Sequence, residues 1–213
     1  MDRYKTFGLL VILVTLFQAF IVAWQAAWYE RILYLAGIPY SLVFFFHAPF
    51  ERVFSRMRNP VRAYAIGVLI SGLIIETLAF ISNTERIRMG QEVFLFSTTS
   101  LPADLLIGLP YYISFALIFA WAIRKYDIGV FQMAFIIWFA QAMTVDIFSH
   151  FTTLIFGGIA GILGFFLAGF NMLFTLHAPI VFFESKIREQ YPNRNESWIK
   201  YPVVIALQLI PMA

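Results

Sequence analysis

The chain has no cysteine and little charge: Asp, Glu, Lys and Arg make up only 13% of its 213 residues, against about 25% in soluble domains. Without thiols, disulfides, thiolate metal sites and a cysteine nucleophile are excluded. Polar low-complexity tracts are missing too, because 25 Phe, 10 Tyr and 5 Trp are scattered through the sequence; a disordered, collagen-like or coiled-coil chain is therefore excluded. No dinucleotide fingerprint, Walker sequence, Gly-x-Ser-x-Gly or His-Glu-x-x-His occurs, so common nucleotide, esterase and zincin chemistries lack their residues. What fills the space is apolar: 61% of residues are hydrophobic. A soluble domain of this size would have to display the surplus as aggregating patches. The composition implies an all-α fold, a polytopic transmembrane helical bundle whose solvent is lipid.

A hydrocarbon core of about 30 Å takes about 20 apolar residues per helix. Cutting the chain at its charges and turn residues gives about seven segments, near 6–28, 32–50, 63–82, 103–123, 128–149, 154–183 and 199–213. The first follows Arg3 and Lys5 as a signal peptide would, but it has no small-residue cleavage site and its apolar run is too long, so it reads as a mature helix. The last, with Pro202 and Pro211 inside it, is short and reads as a tilted or partial span, or as one the native chain continues.

The positive-inside rule, which weighs only Lys and Arg and was not used to draw the boundaries, tests these spans. With a cytoplasmic N-terminus, Arg3, Lys5, Arg52, Arg56, Arg58, Arg62, Arg124, Lys125, Lys186, Arg188, Arg194 and Lys200 lie inside, and only Arg31, Arg86 and Arg88 outside. The expectation is a multi-pass cell-membrane protein, and the net charge of +3 then reports topology rather than nucleic-acid binding. The cluster from Arg52 to Arg62 also suits anionic lipid, although topology alone accounts for it.

The tripeptide His-Ala-Pro occurs at His47–Pro49 and again at His177–Pro179. Both copies fall at the inner ends of the second and sixth segments, which cross the membrane in the same direction. Helices one to three (about 6–82) and five to seven (about 128–213) then form parallel repeats joined by the fourth (about 103–123), a 3+1+3 layout within one transmembrane domain. A His at a helix end with Pro following is more often a cap than a ligand. A metal shared by His47, His150 and His177 is disfavoured because the first and third lie at the inner face and the second at the outer, so no metal is expected.

Glu76, in the run GLIIETLAF, and Asp146, in AQAMTVDIFSH, interrupt apolar segments. An ionised group at bilayer depth costs about 2.5–3.5 kcal/mol on insertion scales, so such residues face the bundle interior or a wet path. Both fall in the outer half, at a level comparable with Asp104, and His150 lies one turn from Asp146 on the same face. No basic residue within the spans neutralises them, and a carboxyl withdrawn from water without a cation favours its neutral form, the form a general acid needs. Two readings stay open: acid–base chemistry, or interhelical hydrogen bonds between protonated carboxyls and polar neighbours. Gly157, Gly161 and Gly164, with Ala160, form small-xxx-small patterns that suit close helix packing and a homo-oligomer contact. Aromatic pairs such as Tyr111 and Tyr112 are packing or lipid-facing groups, or line a slot for a long apolar ligand.

Between residues 70 and 151 the chain carries, in order, Glu76-Thr-Leu-Ala, Asn83-Thr84, Met89-Gly90, Phe94-Leu-Phe96, Leu101-Pro102, Gly108-Leu-Pro110, Trp121 and Met143-Thr-Val-Asp146-Ile-Phe. This series resembles the integral-membrane carotenoid hydratases of the bisanhydrobacterioruberin hydratase type. Ala79 stands where that family usually has Gly, and His150 where it has a second acidic residue. A 3+3 repeat is also similar to that of membrane lycopene cyclases, whose Pro-x-Glu-Glu motif is missing here. The resemblance implies addition of water to a terminal double bond of an acyclic carotenoid that enters from lipid. Glu76 would be the acid, Asp146 would orient or deprotonate water, and Asp104 and His150 would tune protonation. Tyr111, Tyr112 and Trp121 would offer aromatic faces to a polyene and to a carbocation; no cofactor is implied. The rivals are a proton-coupled carrier of the same 3+1+3 layout, for which Pro39, Pro49, Pro110 and Pro179 are partial hinge candidates, and an assembly or scaffold subunit.

Overall fold

The computed structural model describes residues 3–22, 35–54, 56–90, 100–144 and 178–209. Among these, the regular elements are helices: α1 (Arg3–Phe17), continued by a π-helical turn (Gln18–Val22), then α2 (Gly37–Phe45), α3 (His47–Phe54), α4 (Pro60–Arg88), α5 (Leu101–Lys125), α6 (Val130–Thr144), α7 (Ala178–Gln190) and α8 (Lys200–Leu209). Three stretches are long and apolar enough to cross a membrane, Arg3–Phe20, Pro60–Arg88 and Leu101–Lys125, and α6 supplies a shorter apolar helix. By length and composition, then, this is an all-helical membrane protein among the described residues.

The ends of α4 and α5 follow from local chemistry. Asn59 caps α4 by accepting a hydrogen bond from Arg62 N at 3.0 Å, and Pro60 supplies a first residue that needs no N–H partner. Arg86 and Arg88 close α4, and Arg124 and Lys125 close α5, where cations meet the negative end of the helix dipole. At 29 residues, α4 is about 43 Å long and outreaches a hydrocarbon layer of about 30 Å. Its inward face buries Tyr64, Val68, Gly72 and Ile75, while Ile66, Ile70 and Ile74 are exposed on the other. A helix apolar on both faces needs lipid on one of them.

The segment read as a single span over 32–50 contains a break. Phe46 leaves the helical region (φ −106°, ψ 21°) after donating to Leu42 O, and His47 starts α3. His47 Nδ1 lies 2.8 Å from Phe44 O; since a carbonyl only accepts, the ring nitrogen carries the proton and caps the end of α2. The other face of the imidazole stacks on Tyr4, with ring centroids 4.4 Å apart. His47 thus has the capping role. The helix that begins at His47 and the helix that begins at Ala178 pack on each other, Phe50 and Phe54 of α3 meeting Phe182 of α7 at 5.0 and 5.2 Å. Behind them α7 approaches α4 so closely that a Cβ on Gly67 would stand 2.9 Å from Pro179 Cβ. His177 lies outside the described residues.

Segments assigned to the inner side gather at one end of the bundle. Tyr4 Oη donates to Glu184 Oε2 at 2.8 Å, joining the start of α1 to α7. The α5–α6 connection pairs with the α7–α8 connection through Asp127 N to Asn195 O (2.9 Å) and Asn195 N to Lys125 O (3.0 Å). The first turn of α4 shares a groove with Arg124 and Tyr191. The core between these helices holds Tyr64, Phe115, Phe119 and Ile123, all fully buried.

Candidate functional site

Among the described residues, helices α4 and α5 pair closely near their middles, where each presents a glycine to a polar residue of the other. Gly72 leaves room for the Tyr112 ring: a Cβ there would overlap it, standing 2.5 Å from its Cγ. One turn along α4, Glu76 lays its carboxyl over Gly108, where a Cβ would stand 3.1 Å from Oε2. The two notches bring Tyr112 Oη to Glu76 Oε2, to which it donates at 3.0 Å. Glu76 is half-buried and Tyr112 buried, so this bond lies within the helix–helix seam and outside bulk water.

Extending the pairing of Gly72 with Tyr112 and of Glu76 with Gly108 by one helical turn brings Asp104 to the level of Phe80. Asp104 is buried in the first turn of α5, where unpaired N–H groups favour negative charge, and it is near enough to interact electrostatically with Glu76. Ser82 and Asn83 are buried further along α4, Ser82 Oγ having no hydrogen-bond partner among the described residues. Tyr111 stands edge-on to Tyr112 at 5.2 Å and to Phe115 at 4.5 Å. Pro110, between the two glycine notches, lacks the N–H that would close on the Leu106 carbonyl and so loosens α5 beside the site.

Of the residues singled out in the sequence, Glu76, Asp104, Tyr111 and Tyr112 come together. Trp121 does not join them: it lies nine residues beyond Tyr112 on α5, about 14 Å along the axis, where Lys125 Nζ sits 4.9 Å over its ring. Asp146 and His150, and likewise Gly157, Gly161 and Gly164, lie outside the described residues. Sequence reasoning missed Gly72 and quoted Gly108 only within the resemblance, without its packing role. The signal was present as a glycine four residues before each of Glu76 and Tyr112, but its meaning needed the register between the helices.

A second polar centre, also missed, occupies the end of the bundle where α5 finishes and α6 begins. Asp127 pairs with the buried Arg194 side chain, and Arg188 lies between Glu184 (3.2 Å) and Asp127 (3.7 Å). Arg194 Nη1 donates to Ile123 O at 3.0 Å, and Lys200 Nζ donates to Asp127 O and Gln132 Oε1. Burial lowers the Arg194 pKa from its ordinary value, and Asp127 opposes that shift; a guanidinium stays charged at neutral pH regardless. These contacts clamp loops and helix ends. Gly129 is pressed against them, since a Cβ there would stand 2.9 Å from Glu184 Oε1.

Comparison of the chain with protein-family models, with curated proteins and with solved structures gave no match in any of the three. The functional reading therefore rests on the residues themselves.

Proposed function

We propose that the protein is a multi-pass enzyme of the cell membrane, with a cytoplasmic N-terminus and a 3+1+3 arrangement of about seven spans, that adds water to a terminal double bond of an acyclic carotenoid. The observation that carries this reading is the hydrogen bond from Tyr112 to Glu76 within an apolar seam beside the buried Asp104. Tyr112 engages Oε2 and leaves Oε1 as the oxygen that carries an acidic proton. Glu76 transfers this proton to the CH carbon of the isopropylidene group, and the π electrons form the new C–H bond. The tertiary cation left on the neighbouring carbon lies against aromatic faces, of which Tyr111 is the nearest candidate. Water adds to that carbon and gives up a proton to ionised Asp146, completing a tertiary alcohol, and Asp146 then passes that proton back to Glu76 through the polar groups around Asp104, which restores both carboxyls. Ser82, Asn83 and Asp104 favour a water path from the outer end of α4 and α5, and exposed Ile66, Ile70 and Ile74 fit lateral entry of substrate from lipid.

Expression in a host that accumulates acyclic carotenoids should yield a product heavier by one water, and Glu76→Gln should abolish it. Absence of that product with the wild-type chain, across several acyclic substrates, would overturn the proposal. The same carboxyls would also suit a proton-coupled carrier; solute uptake driven by a proton gradient in liposomes, without any hydrated product, would select that reading.

A further inference from the structure

The basic residues at the inner end fall into two groups. Arg188 and Arg194 are neutralised by Asp127 and Glu184, and Lys200 is held by Asp127 O and Gln132. Arg62, Arg124 and Lys125 pair with no carboxylate among the described residues. They border a groove between the first turn of α4 and the last turns of α5. Its larger part, of about 620 Å³, is lined by Val61, Leu117, Ala120, Trp121, Arg124 and Lys125, with Tyr191 on its far wall. A smaller part of about 280 Å³ shares Val61, Ala120, Arg124 and Tyr191 and adds Asn59, Arg62 and Ala65. No acidic residue lines either part.

The groove is graded along its length. Leu117, 64% exposed, precedes Lys125 by about two turns of α5, roughly 12 Å. Apolar wall therefore lies toward the bilayer centre and cationic rim toward water. Between them, Lys125 Nζ stands 4.9 Å over the Trp121 ring and the Arg124 guanidinium 5.8 Å over Tyr191. These aromatic rings hold the cations at the level where Trp and Tyr sit in membrane interfaces. An occupant that satisfies the whole groove needs a hydrocarbon chain and, at one end, a negative charge able to accept several N–H bonds. Free phosphate would leave the apolar wall uncovered, and a zwitterionic lipid would set its own cation against three others.

We propose that this groove binds one anionic membrane phospholipid, its phosphate held by Arg62, Arg124 and Lys125 and its acyl chain laid against Leu117, Ala120 and Trp121. The site lies at the opposite end of α5 from Asp104 and does not depend on the carotenoid chemistry. The test is native mass spectrometry of the full chain in detergent, titrated with phosphatidylglycerol and with phosphatidylcholine of the same acyl chains. Wild type should bind phosphatidylglycerol preferentially, and Arg124→Gln/Lys125→Gln should weaken that binding about 30-fold while changing phosphatidylcholine binding little. Arg56→Gln/Arg58→Gln, which removes the same charge from the loop before α4, should keep the preference. Ala120→Trp, which fills the groove without altering charge, should weaken both lipids. Equal binding of the two lipids by wild type would overturn the proposal. So would an equal loss in the Arg56/Arg58 control, which would mean diffuse attraction, or displacement of the lipid by soluble glycerophosphate at the lipid's own concentration, which would mean a free-phosphate site.

Discussion

Replacing Gly72 with alanine should destabilise the protein, although the same exchange in an exposed helix stabilises it. Alanine gains about 0.8–1 kcal/mol in helix propensity over glycine. Here the added methyl would overlap the Tyr112 ring, at 2.5 Å from Cγ, and the ring has no easy retreat, because it is buried and anchored by its hydroxyl to Glu76. Overpacking of a filled interface costs about 1–3 kcal/mol, and loss of the Tyr112–Glu76 hydrogen bond adds about 1 kcal/mol. The net expectation is destabilisation of about 1–3 kcal/mol, or a fall of roughly 3–10 °C in the unfolding midpoint for a chain of this length. The steric part does not depend on whether water or lipid surrounds the helices, so thermal unfolding in detergent micelles reads it directly. Tyr112→Ala removes the obstructing ring, and Gly72→Ala in that background should be neutral or stabilising, giving a coupling of more than about 1 kcal/mol in the double-mutant cycle. If Gly72→Ala alone left the midpoint unchanged or raised it, or if the two substitutions were additive, the interlocked α4–α5 seam would be wrong.

Tyr112→Phe keeps the ring over Gly72 and removes only the hydroxyl, so it should cost no more than about 1.5 kcal/mol of stability while lowering product formation by about tenfold; an unchanged rate would remove Tyr112 from the chemistry. Arg194→Ala withdraws a side chain that is only 4% exposed and strips Asp127 and Ile123 O of their donor. A loss of about 2 kcal/mol follows, measured as a lower unfolding midpoint, and a change below about 0.5 kcal/mol would show the inner network to be ornamental. The absence of native cysteine makes topology directly testable: Asn193→Cys should react with a membrane-impermeant maleimide only from the cytoplasmic side and Ser100→Cys only from outside, and labelling of both from one side would refute the alternating spans.

How much of this was legible in the sequence depends on the range of the interaction concerned. The reading of the spans at 63–82 and 103–123 located α4 and α5 but cut α4 six residues short of Arg88. Apolarity marks the lipid-facing part of a helix, while its ends are set by local signals such as Asn59-Pro60, Arg86 and Arg88 that hydropathy does not weigh. The break at Phe46 was not legible, since FFFHA is apolar on both sides of it and hydropathy registers the solvent rather than the continuity of the helix. Glu76, Asp104, Tyr111 and Tyr112 could be selected by residue type, but only the register through Gly72 and Gly108 shows that Tyr112 donates to Glu76. Trp121 was grouped with them by order along the chain, whereas the rise per residue alone separates it from Tyr112 by about 14 Å.

The inner network was hidden for a different reason, and it changes the meaning of the charge pattern. A positive-inside count uses Lys and Arg and disregards Asp and Glu, so Asp127 and Glu184 carried no weight in it. Apart from the i,i+4 pair of Glu184 with Arg188, their partners are also remote in sequence, Tyr4 and Glu184 being 180 residues apart, beyond the reach of any helical spacing rule. Once those pairs form, Arg188 and Arg194 are largely neutralised locally, whereas Arg62, Arg124 and Lys125 meet no carboxylate among the described residues. Basic residues that are equivalent as topology signals therefore differ as chemical groups: Arg188, Arg194 and Lys200 fasten the ends and connections of α5, α6, α7 and α8 together, whereas Arg62, Arg124 and Lys125 line a groove with no carboxylate in its walls.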